Sequence, residues 1–206
     1  MLKKFVMMAA LCAAVMLPAA AHANPEIGQP APAFTGTDSN GKTHNLSDFK
    51  GKTVVLEWHN DGCPYVEKYY GTGAMQAVQK AAVDDGVVWL TINSGAEGKQ
   101  GYHDAAATNE LIAKQKSAET ARILDMDGVI GKAYNAKTTP HMFVINGEGT
   151  LVYMGAIDDR PTADKADLEG ATNYVTAALD EIKAGKPVST PMTQPYGCGV
   201  KYKDMM

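Results

Sequence analysis

Cys63 is the residue whose surroundings in the sequence favour reactivity most clearly. It follows the β-type run Thr53 to Trp58 and a polar loop, and it stands directly before Pro64, which suits the first turn of a helix. Helix N–H groups then point at the sulfur and, with the helix dipole, stabilise a thiolate, the reactive form of cysteine. We therefore predict a lowered pKa for Cys63. The alternative interpretations are a small buried hydrophobe or half of a passive disulfide.

Thr139-Pro140 is the second feature that could belong to a site. It lies at the start of a predicted core strand, His141 to Ile145. A proline there is unusual because it removes a donor from the strand ladder. A cis-proline in a loop that ends at the site would explain it. From spacing alone, an ordinary trans proline at the start of a strand is favoured.

The cysteine count depends on the start of the chain. The sequence has three cysteines, Cys12, Cys63 and Cys198. Residues 1–23 have a cationic start, an apolar stretch too short to span a bilayer, and a small-x-small site at Ala21 to Ala23. They are predicted to be a cleaved signal peptide, with a membrane anchor as the alternative. Cleavage leaves Cys63 and Cys198 in a periplasmic or secreted protein, where disulfides persist.

The remaining sequence predicts one layered α/β domain over residues 24–187 and a C-terminal extension over residues 188–206 that carries Cys198. Predicted strands alternate with predicted helices, and a hairpin follows. The predicted strands cover residues 34–37, 43–46, 53–58, 86–92, 121–124, 141–145 and 150–153. The predicted helices cover 64–82 (interrupted at Gly71 to Gly73), 105–116, 129–134 and 171–184, with a helical turn at 46–49. Asp158 to Arg160 is interpreted as a solvated turn.

Composition limits the partners. The 206 residues are 45% hydrophobic and carry a net charge of −4, which argues against nucleic acid because phosphate binding needs a basic surface. No segment after the leader has 18 consecutive apolar residues, so we expect no membrane contact after cleavage. Gly71-Thr72-Gly73 lacks the strand–turn–helix context of a phosphate-binding loop, and we expect no cofactor.

At this point several segments share one pattern. They are Leu46 to Lys52, Cys63-Pro64, Thr138 to Pro140, Phe143 to Ile145 and Gly149 to Gly155. In order and spacing this pattern resembles the thioredoxin-like redoxins, the superfamily that includes the alkyl hydroperoxide reductase/thiol-specific antioxidant group, from about Ile27 to Lys183. The resemblance implies a thioredoxin-like fold, a central mixed sheet flanked by helices with an N-terminal β-hairpin extension. It also implies a reactive Cys63 and a cis-proline loop, Thr139-Pro140, facing it.

The sequence departs from two patterns of that superfamily. Thioredoxins carry Trp-Cys-x-x-Cys, whereas Asn60 stands three residues before Cys63 here. Typical peroxiredoxins carry a proline and a threonine upstream of the cysteine, and Leu56 and Asn60 occupy those positions. A local dithiol pair is therefore absent, and any second thiol has to come from Cys198.

Together with the predicted signal peptide, the resemblance implies an exported, thiol-dependent oxidoreductase with an antioxidant role. Cys63 would attack a peroxide or a disulfide, Cys198 is the candidate resolving thiol, and an external thiol would reduce the resulting bond. On the family template His59 and His141 lie near the sulfur. His59 is a candidate base, and Thr139, Pro140 and His141 are candidate substrate-binding residues.

Two alternatives stay open at this point. Cys63, His59 and His141 could bind or deliver copper. Alternatively, Cys63 and Cys198 could form a permanent disulfide, which would stabilise a non-catalytic fold by about 5 kcal/mol in the chain-entropy model.

Overall fold

The structure, a computed structural model, describes residues 24–204, so the predicted signal peptide at residues 1–23 lies outside the described residues. In chain order the strands are β1 (Thr35–Asp38), β2 (Thr43–Asn45), β3 (Val54–Trp58), β4 (Val88–Asn93), β5 (Ala121–Leu124), β6 (Thr138–Thr139), β7 (His141–Ile145), β8 (Leu151–Gly155) and β9 (Cys198–Gly199). The α-helices are α1 (Pro64–Tyr70), α2 (Ala74–Asp84), α3 (Ala105–Gln115), α4 (Val129–Ala133) and α5 (Tyr174–Lys183). Short 3₁₀ helices cover Leu46–Phe49 and Lys165–Leu168.

Seven strands form one mixed sheet in the order β2-β1-β5-β4-β3-β7-β8. The three central strands β5, β4 and β3 run parallel, and the remaining neighbours are antiparallel. The continuous apolar run that ends at Ile92 forms β4, which is buried along its whole length, as expected for a strand covered on both faces. The predicted fold class, a central mixed sheet flanked by helices, is confirmed.

Apolar side chains cover both faces of this sheet. One face packs Val55, Trp89 and Val144 against apolar residues of α1, α2 and α5. The other face packs Trp58 and Phe143 against α4 and the N-terminal segment. Burial on both faces fixes the sheet as a rigid platform for the loops at its edge.

Local sequence signals predict where several of these elements begin and end. The Asn40-Gly41 turn joins the predicted hairpin β1–β2, and Gly41 adopts a positive φ of 80°. The predicted interruption of the first long helix also occurs, because Gly73 has a left-handed φ of 81° and separates α1 from α2.

Strand register decides where the candidate site forms. Strands β3 and β7 are antiparallel, and Trp58 at the end of β3 pairs with His141 at the start of β7. The chain leaving β3 and the chain entering β7 therefore meet at one edge of the sheet. At the same edge β6 pairs with the tail strand β9, with Thr139 opposite Cys198. The sequence did not predict strand β9.

No helix among residues 24–204 combines the length and the apolar character needed to cross a membrane.

Candidate functional site

Cys63 is the N-cap residue of α1 and has an extended backbone. Asn60 organises the preceding loop: its side chain accepts a 2.9 Å hydrogen bond from the Gly62 N–H, and its carbonyl accepts a 3.0 Å bond from the Cys63 N–H. The Cys63 carbonyl accepts the first helical bond, 2.9 Å from the Glu67 N–H. The predicted position of Cys63 at a helix start is thus observed, but the side chain is fully buried, with an exposed fraction of 0%.

The cis-proline loop covers the sulfur of Cys63. The Thr139-Pro140 peptide bond is cis, as the family resemblance implies and against the expectation from spacing alone. The Cys63 thiol donates a 3.0 Å hydrogen bond to the Thr139 carbonyl. Thr139 and Pro140 are both buried, so this loop forms one wall of the candidate site.

Cys198 reaches Cys63 through the tail. The antiparallel pairing of Cys198 with Thr139 lays the tail along the cis-proline loop, whose Thr139 carbonyl also accepts the hydrogen bond from Cys63. The two thiols therefore lie close enough for each to shift the pKa of the other. Both are free thiols. Strand β9 and the neighbouring backbone hydrogen bonds hold this thiol in place.

The two thiols have pKa values displaced in opposite directions. Burial alone would raise the pKa of Cys63, but hydrogen bonds from the Cys198 side chain, from the Thr139 hydroxyl and from the Val66 N–H outweigh it, and the pKa lies below its usual value. Burial, followed by the hydrogen bond to Cys63 and its negative charge, raises the pKa of Cys198 to about 11. The pair therefore divides into a more acidic thiol at Cys63 and a less acidic thiol at Cys198.

The helix position also shows where a local second cysteine would lie. If Cys63 were the first member of a Cys-x-x-Cys motif, the second would be Val66, in the first turn of α1 and 1% exposed. If Cys63 were the second member, the first would be Asn60, the position considered from sequence. Neither residue is a cysteine, so Cys198 is the thiol partner that the described structure offers.

The ring of His59 contacts one side-chain amide and one aromatic ring. Its ring lies 3.4 Å (Nε2 to Nε2) from the Gln115 side-chain amide and packs edge-on against Tyr70 at 4.9 Å between ring centroids. These described contacts are with Gln115 and Tyr70 rather than with Cys63. Burial, together with the nearby positive charge of Arg122, holds the pKa of His59 well below its usual value. A neutral imidazole carries no positive charge but can accept a proton, so the role of His59 as a base stays a prediction.

His141 faces a pocket beside the cis-proline loop. Its Nδ1 accepts a 3.3 Å hydrogen bond from the Lys137 N–H, and its ring packs on Phe143 at 4.4 Å between centroids. Burial lowers its pKa to about 3, so it is neutral at physiological pH. The cavity has a volume of about 340 Å³, and tail residues Gln194 and Pro195 contribute to its lining. This is the place in the structure where the predicted substrate-binding role of His141 has room for a ligand.

Sequence reasoning missed Asp158. The interpretation of residues 158–160 as a solvated turn is wrong for Asp158, which is 2% exposed. Its carboxylate accepts hydrogen bonds from the hydroxyls of Tyr69 and Tyr196 and lies 3.4 Å from the ammonium of Lys68, which is itself fully buried. Charged side chains are rarely buried unless they are paired, and this pairing joins α1 to the tail.

Glu57 is a second buried acid that sequence reasoning missed. It is fully buried in β3, and its carboxylate accepts hydrogen bonds from Trp89 Nε1 at 2.8 Å and Tyr70 Oη at 2.9 Å. Burial, with the negative charge of Glu119 nearby, raises its pKa to about 7. The available signal was a single charge inside the otherwise apolar run Thr53 to Trp58.

The residues proposed from sequence as copper ligands do not form one cluster. Across residues 24–204, no group of three or more histidine, cysteine, aspartate or glutamate side chains is arranged to hold a metal ion. His59 and His141 instead have separate protein partners, Gln115 and Lys137.

Comparison with known proteins identifies the family. The model of the AhpC/TSA family matches residues 27–154, and the chain belongs to this family, which confirms the redoxin resemblance. The chain is 33% identical over 125 residues to thiol-disulfide oxidoreductase ResA of Bacillus subtilis. That alignment covers 61% of this chain and 64% of the relative.

Solved structures support the fold. The crystal structure of an uncharacterized conserved protein from Geobacillus kaustophilus matches 88% of this chain and 94% of its own, with a TM-score of 0.76 at 22% identity. The thioredoxin domain of a thiol-disulfide oxidoreductase from Bacteroides vulgatus matches 70% of this chain and 96% of its own, with a TM-score of 0.51 at 23% identity. The predicted thioredoxin-like fold is therefore confirmed.

Proposed function

We propose that this protein is an exported thiol-disulfide oxidoreductase of the redoxin type in which Cys63 is the attacking thiolate and Cys198 the resolving thiol. The observation that carries the proposal is the contact between two free thiols with oppositely displaced pKa values beside a cis-proline. The similarity to a named thiol-disulfide oxidoreductase supports the reaction class. It does not favour the copper-binding alternative. The predicted signal peptide supports a periplasmic or secreted location.

The reaction balances as two exchanges. The Cys63 thiolate attacks one sulfur of a substrate disulfide, forms a mixed disulfide and releases the other sulfur as a thiolate. Cys198 gives its proton to that thiolate and attacks the Cys63 sulfur, which releases the second substrate sulfur as a thiolate and leaves a Cys63–Cys198 disulfide. The substrate disulfide is reduced and the cysteine pair oxidised, and an external thiol reductant restores the pair. Attack requires local opening, because Cys63 is fully buried.

A hydroperoxide is the second electrophile that the site favours. Because Cys63 is fully buried, a small oxidant needs less displacement of the covering residues than a peptide disulfide does. Attack on the peroxide breaks the O–O bond, leaves a sulfenic acid on Cys63 and releases an alcohol or water. Condensation with the Cys198 thiol then releases water and gives the same disulfide. This reaction accounts for the predicted antioxidant role.

The test is to mix the reduced protein with oxidised glutathione or hydrogen peroxide and follow both cysteines by mass spectrometry. The wild type should form a Cys63–Cys198 disulfide that dithiothreitol reverses. Cys198→Ser should stop at a glutathione adduct or a sulfenic acid on Cys63, and Cys63→Ser should react at least ~100-fold more slowly. A bridge that resists dithiothreitol, or a reduced protein inert to both reagents, would contradict the proposal and favour a permanent disulfide.

A further inference from the structure

We propose that residues 195–202, the tail strap, pair with the cis-proline loop beside Cys63 as a bound peptide strand would. Tyr196 and Gly197 are the positioning residues of this strap. In this arrangement the strap holds Cys198 against Cys63, and it closes Cys63 to large disulfides until it moves away. The proposal rests on the proposed function, because it concerns how the resolving thiol is placed and which electrophiles reach the nucleophile.

Backbone pairing holds the middle of the strap on the cis-proline loop. Gly199 pairs with Thr138 and Cys198 with Thr139. The next N–H, that of Val200, donates a 3.1 Å hydrogen bond to the Lys137 carbonyl. The strap therefore occupies the free backbone edge of β6, and an extended peptide could pair with that edge only by displacing it.

Tyr196 anchors the strap two residues before Cys198. Its hydroxyl donates to the buried carboxylate of Asp158, beside Lys68. Its ring lies 5.9 Å from the Lys68 ammonium and packs edge-on against Tyr65 at 5.8 Å between centroids. The anchor therefore joins the strap to α1, the helix that begins at Cys63.

Gly197 allows the strap to approach the cis-proline loop. Its φ of +135° is a conformation that other residues rarely adopt, and a Cβ there would fall on the carbonyl oxygen of Thr139. Gly199, two residues further on, differs: a Cβ there would meet only the Lys137 carbonyl, at 4.0 Å. The strap thus contains one glycine that the close approach requires and one that it does not.

The downstream end of the strap is tied down as well. The Lys201 carbonyl accepts a 2.9 Å hydrogen bond from the Ala96 N–H, and the Tyr202 hydroxyl donates a 2.8 Å bond to the Ala136 carbonyl. Cys63 is consequently enclosed between the start of α1, the cis-proline loop and the strap. The contact that presents Cys198 to Cys63 is the same contact that covers it.

The test separates positioning from folding with two measurements. The first is the effective concentration of Cys198 towards Cys63, from the thiol–disulfide equilibrium with glutathione. The second is the rate of Cys63 with a peptide disulfide relative to a small methanethiosulfonate, in a Cys198→Ser background. Gly197→Ala should lower the effective concentration ~100-fold and raise the relative rate of the peptide disulfide at least ~10-fold. Tyr196→Phe should change both in the same directions by about tenfold.

Two matched variants serve as controls. Gly199→Ala alters the same strand without a clash, and Tyr65→Phe alters a ring that touches Tyr196 but does not donate to Asp158. Both should match the wild type within about twofold, and Tyr196→Phe keeps the test decisive if Gly197→Ala fails to fold. Unchanged values in both strap variants, with a Cys63–Cys198 disulfide still formed, would overturn the strap proposal alone. A Cys63 inert to the small reagent in every variant would overturn the proposed function and the strap's role with it.

Discussion

Cys63 and Cys198 reach the same contact from two different kinds of structure. Cys63 lies between a fully buried strand and the first turn of α1, so local sequence and the sheet core fix it. Cys198 lies on a two-residue strand, and the side-chain anchor at Asp158 and the pairing with Thr139 fix it from outside the sheet. The comparison shows that the nucleophile is placed by the rigid core, whereas its partner depends on a few specific contacts.

The largest expected effect comes from removing the buried negative charge of Asp158, which anchors the tail strap. Asp158→Asn leaves the fully buried Lys68 ammonium without its carboxylate, and we expect a loss of about 3 kcal/mol in the free energy of unfolding, measured by chemical denaturation. Its exposed neighbour is the control: Asp159→Asn should cost less than about 0.5 kcal/mol. Equal losses of unfolding free energy in the two variants would show that stability does not depend on the Asp158–Lys68 pair.

A smaller effect is expected in the pH dependence of the free energy of unfolding, through His141, which follows the cis-proline loop. The native pKa of His141 is about 3 against 6.5 in the unfolded chain, so the unfolded state binds more protons between these values. Stability is therefore lost as the pH falls through this window, by about 2 kcal/mol from this group between pH 8 and pH 5.

His141→Asn tests that dependence, because its side-chain oxygen can replace Nδ1 as the acceptor for the Lys137 N–H. We expect a flatter decline of the unfolding free energy between pH 8 and pH 5 than in the wild type. A decline in His141→Asn as steep as that of the wild type would contradict the assignment to His141.

The smallest effect tests how much the tail contributes to the thiolate. Cys198→Ala removes a hydrogen-bond donor from Cys63, so the pKa of Cys63 should rise. Titration of thiolate absorbance near 240 nm measures it. Cys198→Ser keeps a hydroxyl donor and should keep the pKa closer to that of the wild type. If the alanine and serine variants give the same titration, the core and the start of α1 alone determine the pKa of Cys63.

Much of the fold could be predicted from the sequence because its signals are local. Periodicity placed the apolar run of β4, the Asn40-Gly41 turn placed the first hairpin, and Gly73 placed the break between α1 and α2. The position of Cys63 at a helix start followed from the proline beside it. These features depend on neighbours within a few residues, which sequence patterns record directly.

Part of the site could not be predicted because it depends on residues distant in the chain. Asp158 looked like a turn residue, since nothing beside it in the sequence shows that Lys68 and Tyr196 surround it. Nothing beside His59 in the sequence shows that its ring contacts Gln115 and Tyr70. Burial and hydrogen-bond partners are tertiary properties, and they decide which of several polar residues belongs to a site.

The sequence by itself determined that one cysteine stands before a helix at the edge of an α/β sheet, that a proline loop belongs to a redoxin pattern, and that a second cysteine lies in the tail. Tertiary structure decided that Cys63 and Cys198 meet, that the Thr139-Pro140 bond is cis, and that the two pKa values move apart. The physical reason is how far apart in the chain the interacting residues lie. Helix starts and turns arise from short segments, whereas pairing a tail strand with β6 needs the whole sheet to bring the two together.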